Sequence, residues 1–100
     1  MSWTLRKSDQ AIDDLALIWN HIALDNPPAA DKLVGDLIGR FDRTRDFPFI
    51  SRPAEEVAAG HRVLAHRAYL LTYCVDEVRK TIELVRVVHG ARDWPALFED

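Results

Sequence analysis

The segment Thr81-Ile82-Glu83-Leu84-Val85-Arg86-Val87-Val88-His89-Gly90-Ala91-Arg92-Asp93 decides how the rest of the chain is read. β-branched residues crowd it between a charged turn, Asp76 to Lys80, and Gly90, and that composition favours a strand over a helix. Apolar residues occur at both parities, with Ile82, Leu84 and Val88 on one and Val85 and Val87 on the other. A strand that is apolar on both sides is expected to be central, with both faces covered. Arg86 shares the parity of Ile82, Leu84 and Val88. A guanidinium in an apolar row implies an ion pair inside the sheet or a functional cation.

Working back from this strand, Tyr69-Leu70-Leu71-Thr72-Tyr73-Cys74-Val75 and His61-Arg62-Val63-Leu64-Ala65-His66 read as two further strands on composition. Asp76 to Lys80 is the turn that makes the last three strands an antiparallel meander. Phe47-Pro48-Phe49-Ile50-Ser51-Arg52-Pro53 holds two prolines and no 3.6-residue period, so it reads as an ordered loop. Glu55 to Ala59 is short enough for one helical turn at most. Ala30, Leu33, Val34, Leu37, Ile38 and Phe41 form a helical stripe, with Asp31, Lys32, Asp36, Arg40 and Arg43 on the other side. Before it, Ile12, Leu15, Ala16, Trp19, Ile22 and Ala23 form another, capped by Ser8 and carrying Asp9 in its first turn. Asn26-Pro27-Pro28 ends the first helix and starts the second, so the two are expected to form an antiparallel hairpin. Ser2 to Arg6 alternates polar and apolar, as a short first strand does. The apolar tail Trp94 to Phe98 is expected to pack back on the sheet. The order is β-α-α-β-β-β, an α+β fold with the helical hairpin on one face of a small, mostly antiparallel sheet.

With 100 residues, of which 48% are hydrophobic, residues 1–100 are expected to be a single domain. The formal net charge of -3 argues against a dedicated nucleic-acid binder. The charge is uneven: residues 1–59 carry seven Lys/Arg against ten Asp/Glu, while 60–93 carry six against four, with three histidines. Cys74 is the one cysteine and sits in an apolar run, so it is expected to be buried, with no disulfide, in a reducing cytosol. No stretch approaches the roughly 18 apolar residues of a membrane helix, and no signal peptide is evident. A cytoplasmic protein follows as the expectation.

Residues Ile82 to Asp93 resemble the last strand and trailing motif of the ParE branch of the ParE/RelE toxin superfamily. The order of elements, the proline loop, Gly60 with Arg62, and Tyr69 with Tyr73 extend the resemblance over nearly the whole chain. It implies the toxin of a type II toxin-antitoxin module, of the plasmid-stabilisation type, that poisons DNA gyrase and is held inactive by a cognate antitoxin, ParD-like or similar. Such a toxin binds and does not catalyse, so no catalytic residue, cofactor or metal is expected. Target contacts are expected at Arg86, His89, Arg92 and Trp94. Trp19 with Gly35 and Gly39, two glycines four apart on one helix face, is expected to meet the antitoxin.

The alternative within the superfamily is a RelE-like, ribosome-dependent mRNA interferase. Cleavage through a 2′-hydroxyl needs a base, an acid and cations at the phosphate, and Arg62, Tyr73, Arg86 and His89 are of the right types. The acidic composition argues against it, because RNA affinity depends on neutralising phosphates. A third alternative is an inactive member retained as an antitoxin-binding module. His21, His61, His66, His89 and Cys74 lack metal-ligand spacing, and neither a nucleophile elbow nor a glycine-rich phosphate loop is present.

Overall fold

The computed structural model describes residues 3–56 and 59–90. Strand β1 (Thr4–Lys7) leads to helices α1 (Asp9–Ala23) and α2 (Pro27–Asp42), then a short 3-10 turn (Arg43–Arg45), β2 (Arg52–Pro53), β3 (His61–His66), β4 (Tyr69–Asp76) and β5 (Thr81–His89). The sheet order is β1-β5-β4-β3-β2; β1 runs parallel to β5 and the other neighbours are antiparallel. β5 therefore lies inside the sheet, as its composition predicts. β2 is the addition: two residues of the proline loop pair with β3 at Val63 and Arg62. A proline is tolerated there because β2 is an edge strand and needs no inward donor at that residue.

Local chemistry sets the helix ends. Ser8 has extended backbone angles and its side chain accepts from Ala11 N–H, while Asn26 does the same for Ala29 N–H, with prolines in the first turn of α2. The β4–β5 turn is held by Asp76, whose carboxylate accepts from the amides of Val78 and Arg79. The 55–59 segment shows a turn at Glu55 and Glu56, and its centre lies outside the described residues, as does the 94–98 tail.

The core forms where the hairpin meets one face of the sheet. Ala11, Leu15, Leu37 and Phe41 pack on Leu64, Leu71, Tyr73, Ile82, Leu84 and Val87. This differs from the stripe read for α1. Ile12 and Trp19 are exposed, and the inward positions are Ala11 and Leu15, with Ile18 packed beside them. Two apolar stripes about 100° apart coexist on this helix, and polar contacts at its β5 side select between them.

β5 also departs from simple alternation. Leu84 pairs with Tyr73, but Arg86 pairs with Thr72, so Val85 is an extra residue in a β-bulge. The bulge shifts the inward positions from Ile82 and Leu84 to Val87. Arg86 thus leaves the apolar row in which simple alternation placed it.

Cys74, expected to be buried, is only partly so. Its thiol is pushed up from the usual cysteine range by burial, with Glu83 and Asp76 adding to the effect. Among the described residues no helix is long and apolar enough to cross a membrane.

Gly35 and Gly39 lie within α2, and a Cβ built on either would meet nothing within 4 Å. Packing among the described residues does not require glycine at either place. Gly35→Ala and Gly39→Ala should each stabilise by about 0.5–1 kcal/mol, a rise of about 2–8 °C in melting temperature. A fall in either variant would mean that the helix backbone there is constrained by something beyond its own propensity.

Candidate functional site

The bulge in β5 is the centre of a well-defined polar cluster among the described residues. α1 crosses it and bonds to it on both sides. Ser8 Oγ donates to the carbonyl of Val85 at 2.8 Å while accepting from Ala11 N–H at 3.0 Å. Two turns further on, Asp14 accepts three bonds: Arg86 Nε at 2.8 Å, Arg86 Nη2 at 3.1 Å and the amide of Val87 at 2.9 Å. A bulge leaves backbone groups out of the ladder, and one serine and one aspartate supply the missing partners here. The ion pair is bidentate and largely buried, with side chains 18% and 13% exposed. The bonds to Asp14 raise the pKa of Arg86, so the guanidinium stays charged throughout the neutral range.

Beside this cluster a cleft of about 290 Å³ opens between α1 and the exit of β5. Leu17, Ile18 and His21 line it from the helix, Tyr69, Val87, Val88 and His89 from the sheet, and the Asp14–Arg86 pair also borders it. The His89 ring meets the Tyr69 ring edge-on, with centroids 5.4 Å apart. Apolar walls with imidazole and phenol groups suit stacking and hydrogen bonding to a partner's surface. Among the described residues no group of three or more His, Cys, Asp or Glu is placed to hold a metal ion.

The residues named for RNA cleavage fall into two separate groups. Arg62 and Tyr73 hold the proline loop: Arg62 Nη2 donates to the carbonyls of Phe49, at 3.0 Å, and Ser51, and its guanidinium lies over the Phe49 ring. Tyr73 is fully buried, with its hydroxyl bonded to Ser51 Oγ and donating to Pro48 O at 3.1 Å. Arg86 and His89 border the cleft. The register sets His89 opposite Tyr69, four residues from Tyr73 and so about 13 Å along the strand.

The other named residues divide similarly. Trp19, Gly35 and Gly39 lie on the outer side of the hairpin, with Trp19 Nε1 donating to Asp31 Oδ1 at 2.8 Å. Arg92 and Trp94 are outside the described residues. Reading the sequence missed Ser8 as a ligand of the bulge, together with Asp14, His21 and Tyr69 as parts of the site. One signal was available for Asp14: it borders the Ala11, Leu15, Ile18 stripe, a costly place for a carboxylate that lacks a partner.

Comparison with known proteins supplies the remaining information. The family model of the "ParE toxin of type II toxin-antitoxin system, parDE" matches residues 5–94. The Sinorhizobium fredii protein named "Putative toxin Y4kP" is 29% identical over 93 residues, covering 93% of this chain and 90% of that protein. Among solved structures, the chromosomal ParDE toxin-antitoxin system from P. aeruginosa superposes with a TM-score of 0.74 at 21% identity, covering 88% of this chain and 96% of that one. The toxin-antitoxin complex RelBE2 from Mycobacterium tuberculosis gives 0.68 at 22% identity, covering 89% and 99%. At these identities the two structures speak for the fold, which is that of the ParE and RelE toxins.

Proposed function

The chain belongs to the ParE toxin family of type II toxin-antitoxin systems, and from that premise we propose that it acts in the cytoplasm by binding DNA gyrase, without cutting RNA itself. A cognate ParD-like antitoxin holds it inactive, in a module that stabilises a plasmid. One observation carries the choice between binding and catalysis. Of the four side chains a nuclease would draw on, Arg62, Tyr73 and Arg86 are engaged in bonds that hold the fold together. A general acid or base must reach the reacting proton, and a fully buried tyrosine beneath a loop does not. A poison that traps another enzyme's cleaved DNA needs only a surface. The cleft bearing Arg86 and His89 is the surface we assign to the target; Arg92 and Trp94, assigned to the same role from the sequence, lie outside the described residues.

Incubating the purified chain with gyrase, ATP and supercoiled plasmid, then denaturing, should release linear DNA in proportion to toxin. Ribosomes programmed with mRNA should yield no cleaved message under the same conditions. His89→Ala and Arg92→Ala should keep the melting temperature and the affinity for antitoxin, yet lose growth inhibition in cells without antitoxin. Toxin-dependent cleavage of ribosome-bound mRNA would reverse the assignment. Killing by both variants at the wild-type dose would place the target surface elsewhere.

A further inference from the structure

A cleft beside the exit of a strand can hold an anion on its cation, an added strand on its edge, or a side chain between its walls. The bonds around the β5 bulge remove the first two. Arg86 is the guanidinium that borders the cleft, and Asp14 accepts from its Nε at 2.8 Å and its Nη2 at 3.1 Å. The pair is neutral as a unit and largely buried, so drawing Arg86 onto a phosphate would leave the Asp14 carboxylate without its partner. The strand edge is taken as well. On the α1 side of β5, Leu84 O accepts from Ser8 N–H at 2.9 Å, Val85 O accepts from Ser8 Oγ at 2.8 Å, and Val87 N–H donates to Asp14 at 2.9 Å. An incoming strand would have to break the contacts that hold the bulge before it could pair.

What remains is an apolar slot. Leu17 and Ile18 line it from the helix, Val87 and Val88 from the sheet. Leu17 is 67% exposed, an aliphatic contact open to a partner. The rings of Tyr69 and His89 meet at 77°, so the pair offers a face beside an edge, an arrangement against which a further ring packs well. At about 290 Å³ the cleft lies just below the roughly 300–1,000 Å³ of small-molecule pockets, a size that suits one large side chain.

We infer that the cleft takes a single aromatic side chain of the target protein, presented from a helix or a loop, with no added strand and no DNA phosphate on Arg86. The inference rests on the reading that this cleft faces the target, and adds the chemistry of what enters it. Leu17 becomes the residue that tells an apolar anchor from a charged one, because it is the exposed aliphatic side chain against which the anchor lies. Arg86 and Asp14 shape the slot from its polar end and stay paired with each other.

The test uses indole as the probe for the anchor, followed by the amide chemical shifts of the isotope-labelled chain. Indole should shift Leu17, Ile18, Val87 and Val88 saturably, and inorganic phosphate at the same concentration should shift none of them. Leu17→Gln should weaken indole about tenfold, while Leu17→Phe stays within about twofold of wild type. Both variants should keep the melting temperature, since the side chain is mostly exposed. With gyrase, ATP and supercoiled plasmid, Leu17→Gln should need about tenfold more protein than wild type to release the same linear DNA. If phosphate shifts the cleft and indole does not, or if Leu17→Gln traps cleaved DNA at the wild-type dose, the aromatic anchor is wrong and the gyrase reading stands. If indole binds as expected but wild type releases no linear DNA, the gyrase reading falls and the anchor belongs to another target protein. A wild-type dimer in sedimentation that Leu17→Gln dissolves would give the cleft to a ring of a second copy and overturn its assignment to the target.

Discussion

Asp14→Ala should lower the melting temperature by about 12–24 °C. The substitution removes one partner of a largely buried ion pair, which costs about 3–5 kcal/mol, and the residual exposure of both side chains places it near the lower end. At about 4–8 °C per kcal/mol for a domain of this size, about 3 kcal/mol gives that shift. The loss has two parts, since Arg86 keeps a buried charge without its carboxylate and the Val87 amide loses its acceptor at the bulge. Arg86→Met should cost less, because Asp14 retains the Val87 amide. A double-mutant cycle between the two should return a coupling of at least about 1 kcal/mol.

The pH dependence follows from the sign of the Arg86 shift. Its folded pKa is raised, so the contribution is complete at any pH below the ordinary arginine range and disappears only above it. The difference between wild type and Arg86→Met should therefore be flat between pH 6 and 9. A melting temperature for Asp14→Ala within about 4 °C of wild type would mean that the sheet alone holds the bulge.

The second large effect is expected at Ser8. Its hydroxyl both caps α1 and donates to Val85 O, so Ser8→Ala loses a cap, typically about 1 kcal/mol, and leaves a carbonyl at the bulge without its donor, for a total of about 2 kcal/mol or 8–16 °C. Asn26 is the internal control, because it caps α2 with a single exposed bond. Asn26→Ala should cost about 1 kcal/mol or less. Ser8→Asp separates the two bonds, since the carboxylate keeps the cap acceptor and removes the donor to Val85. Equal losses for Ser8→Ala and Asn26→Ala would mean that the bond to Val85 contributes nothing.

Both effects concern contacts that are invisible in the local pattern of the chain. Ser8 was legible as a helix cap, because a small polar residue before an amphipathic run satisfies donors within three residues of itself. Its second bond reaches a residue 77 positions away. Arg86 was legible as an anomaly in an apolar row, but its partner was not, because Asp13 and Asp14 look alike until the helix is rotated against the sheet. Tyr73 and Arg62 had the right chemistry for catalysis, and the contacts they make are with Pro48, Phe49 and Ser51. A list of residue types does not distinguish a tyrosine under a loop from one facing a cleft.

The sequence by itself determined the order of the elements, their stops and the segregation of helices from strands. Those features rest on prolines, caps and apolar periodicities that act within a few residues. It also carried the family, through the pattern of the last strand and the elements before it. Only the tertiary structure decided which stripe of α1 turns inward. Ala11, Leu15 and Ile18 compete with Ile12, Ala16 and Trp19 at similar spacing, and burial of apolar area does not separate them decisively. The decision falls to Ser8 and Asp14, which must reach a bulge whose unpaired backbone exists only once β4 and β5 have paired. That choice leaves Ile12 and Trp19 exposed, so the outer face of α1 is a consequence of how the bulge is satisfied on the other side of the same helix.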